Sequence, residues 1–139
     1  MSVFGNSKVI KVVPGGPFAV ETSAADLYTW SIEHPIMVTD VVVRVSVLVA
    51  ADMVSQVVAL DGVINSAARA EIGRVSIEEA DAVGSTHSMA EEDSTWYTAF
   101  FDEGDTLYIE QVTAATDSGS VAGDVEVHIY YELIPDGSV

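Results

Sequence analysis

The sequence has no cysteine, only two lysines and three arginines, and three histidines in 139 residues. Without cysteine there is no disulfide framework, no thiol nucleophile and no Cys-ligated metal, and the redox compartment stays open. Five cations are too few for a nucleic-acid binder, whose affinity rests on Lys and Arg neutralising phosphates. Long apolar runs are missing too. The longest stretches free of Asp, Glu, Lys and Arg are nine residues, 12–20 and 82–90, against roughly 18 for a membrane-spanning helix. The first is broken by Pro14-Gly15-Gly16-Pro17, which argues against a secretory signal core.

What is present is acid and apolar side chain. The chain carries 22 Asp and Glu, a formal charge of −17, and 49 % hydrophobic residues. That apolar content is too high for an unfolded polyacid and suits one domain with a real core. The charge is unevenly placed. Residues 1–20 hold Lys8 and Lys11 and no acid, whereas 21–139 hold all 22 acids and three arginines, a formal −19. Residues 1–20 therefore read as an N-terminal arm or as the first strand, and 21–139 as a single domain. The acid excess fits a solvated surface that keeps a domain soluble. It equally fits adaptation to brine, where a screening length of about 3 Å at 1 M salt quiets crowded carboxylates.

Period-two patterning dominates and predicts strands. Over 40–49, Val41, Val43, Val45, Val47 and Val49 point one way. Val42, Arg44, Ser46 and Leu48 point the other, a mixed face that predicts partial cover or an interface. Near the C terminus, Val125, Val127, Ile129, Tyr131 and Leu133 form one row, and Glu126, His128, Tyr130 and Glu132 the other. β-Branched side chains favour such pleated surfaces. Further strands are expected over 8–13, 18–21, 27–32, 55–60, 72–78, 95–101 and 106–112, separated by Gly, Pro and Asp-rich turns. One short helix is expected over 65–71, capped by Asn65 or Ser66. Seven to nine short strands in one domain predict an all-β fold, an antiparallel β-sandwich or barrel.

No catalytic pattern stands out. His34, His87 and His128 form no HxH or HExxH pair, so no metal site and no cofactor are expected. Acids cluster at Glu78-Glu79-Asp81, Glu91-Glu92-Asp93 and Asp102-Glu103-Asp105, but a glycosidase needs two carboxyls across a cleft rather than neighbours on one loop. There is neither a GxSxG elbow nor a phosphate-cradling glycine loop. Trp30, Trp96 and the pairs Trp96-Tyr97, Phe100-Phe101 and Tyr130-Tyr131 suit a carbohydrate platform, or a core in which one member of each pair is buried.

The segment Phe100-Phe101-Asp102-Glu103-Gly104-Asp105-Thr106-Leu107-Tyr108-Ile109 and the closing Tyr130-Tyr131-Glu132-Leu133 resemble the small head-decoration, or cement, proteins of tailed viruses. The resemblance implies a jelly-roll-like antiparallel β-sandwich and a non-enzymatic virion protein on the outer capsid surface, bound to the major capsid protein between capsomers as a homo-oligomer, a trimer, with the acidity pointing to a halophilic host. Partner contacts are expected from Val3, Phe4, Lys8, Ile10 and Lys11, which lie on an acidic shell or add a strand to a neighbouring sheet. The alternative is a carbohydrate-binding or receptor-binding sandwich.

Overall fold

Alternating apolar residues bury one face only if another layer covers it, and in this chain the cover is a second sheet. The computed structural model describes residues 7–19, 25–47, 56–77, 82–93, 96, 99–113 and 124–135. These form ten strands, β1 (Ser7–Val12), β2 (Phe18–Ala19), β3 (Ala25–Ser31), β4 (Ile36–Val47), β5 (Gln56–Val63), β6 (Ala70–Ile77), β7 (Thr86–Ser88), β8 (Ala99–Phe101), β9 (Thr106–Thr113) and β10 (Asp124–Leu133), with one helix, α1 (Met89–Glu92). The first sheet runs β1-β10-β4-β7, with β2 extending β1 along β10 and β8 extending β7 along β4. The second runs β3-β9-β5-β6. All pairings are antiparallel.

The chain changes sheet at every connection except three: the β5–β6 hairpin and the links within the split edges β1/β2 and β7/β8. That order is the eight-stranded jelly roll, two interlocked Greek keys. The all-β, antiparallel sandwich expected from periodicity is observed, and the strand order is what the structure adds. Its core lies between the sheets, where Val41, Val43, Val45, Val125, Val127 and Ile129 meet Val58, Leu60, Leu107 and Ile109, all buried.

The central strand starts earlier than its valine run, at Ile36, because a bulge resets the alternation. Tyr130 stands opposite Asp40 and Tyr131 opposite Val38, leaving Thr39 as the extra residue. Thr39 and Asp40 are therefore both outside the core, and Val38 and Val41 are both in it. Such an insertion re-aims one side chain. Here it is Asp40, whose carboxylate accepts from Ser88 Oγ (2.7 Å) and from the Ala90 amide (3.0 Å). Ser88 Oγ in turn accepts from the Glu91 amide, capping α1.

The helix expected over 65–71 is absent. Asn65 and Ser66 have φ of 55° and 60°, and the Ala67 amide donates to Ile64 O (3.0 Å). Two left-handed residues inside a four-residue turn make a type I′ hairpin turn, where Asn is favoured for the reason it is favoured nowhere inside a helix. Strand β6 begins at Ala70. The helix that does form, α1, packs against β4, β6 and β7.

Gly73 in β6 lies beneath the Trp96 indole, and a Cβ there would run into the ring. Gly73→Ala is expected to destabilise the protein by about 1–3 kcal/mol through overpacking, measured as a lowered denaturation midpoint with an unchanged slope.

Candidate functional site

The expected contact residues fall into three groups. Val3 and Phe4 lie outside the described residues. Lys8, Ile10 and Lys11 belong to β1, which pairs along its length with β10, Lys8 opposite Glu132, Ile10 opposite Tyr130 and Lys11 opposite Ile129. Residues 7–12 are thus a strand of the domain's own sheet. Period two then separates the two lysines. Lys8 and Ile10 face outward with Val12, and Ile10 and Val12 are each 57 % exposed. Lys11 faces the other way, with Nζ 4.7 Å from the Trp30 ring centroid and 5.7 Å from that of Tyr28. Trp30 meets Tyr131 edge-to-face at 5.2 Å. This cation–π cluster closes the flank of the sandwich between β1 and β3.

Strand register carries the outward face of the first sheet across four rows. Lys8, Glu132, Met37 and Phe100 form one; Ile10, Tyr130 and Asp40 the next; Val12, His128, Val42 and Ser88 a third; Glu126, Arg44 and Thr86 the last. Asp40 is committed to α1. Its partners are neutral, so its charge remains, and the face carries two cations, Lys8 and Arg44, against four carboxylates, Asp40, Asp124, Glu126 and Glu132. Phe100 is 40 % exposed, while its neighbour Phe101 is fully buried. A shallow groove of about 450 Å³ crosses this face between Lys8, Ile10, Thr39, Tyr130 and Glu132. The mixed valine, arginine and serine pattern of β4 pointed to this surface.

The outer face of the second sheet is different. Arg69, in the β5–β6 loop, lies over the Tyr108 ring at 3.9 Å and reaches three carboxylates. Its Nη1 and Nη2 donate to Asp26 (3.2 and 2.6 Å), Nε donates to Asp61 (3.0 Å), and Nη2 also donates to Glu110 (3.1 Å). One guanidinium therefore ties the hairpin loop to β3, β5 and β9. Asp61 is only 4 % exposed. Glu110 is raised to about 7, first by its hydrogen bond with Asp61, then by desolvation and the Asp61 charge, with Arg69 opposing. A neighbouring carboxylate favours the protonated form of Glu110.

The other candidates resolve into structural contacts. Within Asp102-Glu103-Asp105, Asp105 is buried and accepts from the Asp102 amide (2.7 Å) and the Asn65 amide (2.9 Å). Glu78-Glu79-Asp81 lies outside the described residues. His87 meets Glu92 (3.2 Å) and His128 meets Glu126 (3.3 Å). Among the described residues no group of three His, Cys, Asp or Glu side chains is placed to hold a metal ion. Trp30 and Trp96 both pack against their own chain, but Trp30 and Tyr131 also line a second depression of about 360 Å³ with Ser31, Glu33 and His34. Compared with known families, curated proteins and solved structures, the chain matches none.

Glu110 gives a pH signature. Its folded value lies above the 4.5 of a free glutamate, so between about 4.5 and 7 the native state binds the extra proton and stability falls as pH rises. Thermal midpoints across that window should show this slope, and Glu110→Gln should flatten it. Arg69→Met leaves Asp61 nearly buried without its cation, and should cost about 2–3 kcal/mol in urea unfolding at low salt.

Proposed function

We propose that the chain is a structural virion protein that decorates and stabilises a capsid, docking on the major capsid protein between capsomers on the outer surface as a homo-oligomer. One observation carries this reading: in a chain of formal charge −17, the outward face of the first sheet exposes Ile10, Val12 and Phe100 beside Lys8 and Arg44, with a small acid excess. Exposed apolar surface of this kind is a docking feature. The cement-protein resemblance of the segments around β8, β9 and β10 supports it, as does the service of Asp40, Asp61, Asp105 and Arg69 as internal ties. Many modest contacts repeated over a shell add up through avidity. Val12→Glu/Phe100→Glu should keep the β-sheet circular dichroism spectrum and lower co-sedimentation with capsids by about tenfold, the effect of burying an unpaired charge at a contact. Undiminished binding would remove the face from the proposal.

A second reading is favoured by the depression between Trp30 and Tyr131, which sets aromatic edges beside Ser31, Glu33 and His34. Aromatic surface with a few polar groups suits a saccharide. Tryptophan fluorescence should then respond to a neutral oligosaccharide, and the response should vanish in Trp30→Phe; a flat titration across a saccharide panel eliminates this reading.

A further inference from the structure

The two flanks of the sandwich are finished differently. On the β6/β7 flank, α1 packs against both sheets, Asp93 accepts from the Arg74 amide (3.0 Å), and Trp96 lies on Gly73. The edge is covered. On the opposite flank the edges are β1 and β3. β3 carries Asp26 in the crowded carboxylate cluster. β1, the sequence SKVIKV, has no acid, and the other acid-free described strands are two or three residues long. Its outer edge meets no other strand among the described residues. An uncovered edge strand is a template for another strand.

We propose that β1 is a self-association edge, pairing antiparallel with β1 of a second copy about a two-fold axis normal to the sheet, so that the first sheets of two copies become continuous. This rests on the docking role proposed above and names how copies join. Two bodies of formal −19 repel wherever carboxylates meet, and β1 is the edge at which two copies meet with no carboxylate on the pairing strand and with its lysines staggered by the register. Period two sets the register. Outward residues must face outward residues, and centring the axis on Ile10 sets each lysine opposite a valine, whereas an axis at Lys11 would set the two Lys11 residues face to face. Ile10 then stands opposite Ile10 of the second copy, and Lys8 opposite its Val12. The Pro14-Gly15-Gly16-Pro17 break ends the pairing, since proline cannot donate to a ladder. A two-fold pair replaces the trimer that the resemblance implies.

The cysteine-free sequence makes the test clean. Directly opposite Cβ atoms in an antiparallel pair lie about 4.5–5.5 Å apart, close enough for a disulfide after a small adjustment. Under mild oxidation, Ile10→Cys should cross-link at least about tenfold faster than Val83→Cys, a 60 % exposed control on the 82–85 turn, because pairing raises the local thiol concentration. Lys8→Cys mixed with Val12→Cys should cross-link faster than either alone. Sedimentation equilibrium of the unsubstituted chain should fit monomer and dimer, with the dimer favoured as salt screens the carboxylates. Equal rates for Ile10→Cys and Val83→Cys, fast cross-linking of Lys8→Cys alone, a monomer at every concentration, or a trimer would each overturn the pairing. Capsid co-sedimentation is read separately, so loss of self-association with retained particle binding refutes this edge and not the docking role.

Discussion

The structure depends on one constraint: two sheets of branched aliphatic side chains must bury a common face. Val41, Val43 and Val45 on β4 and Val125, Val127 and Ile129 on β10 supply one layer, and Leu60, Leu107 and Ile109 supply much of the other. Each strand contributes a row only because its residues alternate, and one slip in register would turn that row to water. The bulge at Thr39 adjusts the alternation once, keeping Val38 and Val41 in the core while freeing Asp40 to cap α1.

The acidic composition then shapes the exterior. A chain with so few cations commits them. Arg69 gathers three carboxylates, Arg74 holds Glu71, and Lys11 closes the aromatic flank. Glu110, beside Asp61, is pushed up to about 7. The outer face of the second sheet is thus bound up in its own ties, whereas that of the first exposes Ile10, Val12 and Phe100.

Much of this was legible in the sequence. The valine ladder of β4 and the two rows of β10 specify strands and their buried faces directly, because a two-residue period is a local property. The pairing of Phe100 outward with Phe101 inward follows from the same rule. Strand order does not, since long-range pairing leaves no local mark. The Arg69 cluster joins residues 26, 61, 69 and 110, which no spacing rule connects. Asn65 was misleading for a definite reason: its short amide suits a helix cap and a left-handed turn alike, and hairpin closure between β5 and β6 decides for the turn. The opposed directions of Lys8 and Lys11 were implied by their odd spacing, and their different roles by the aromatic residues that only the fold brings near.

The covered β6/β7 flank has a consequence for growth. Sheets that are open along both margins recruit neighbours without end and run into fibres. With α1, Asp93 and Trp96 shielding one margin, any strand-to-strand addition at the other is used up by a single event. Growth of such a pair into a filament would need the shielded margin to open first.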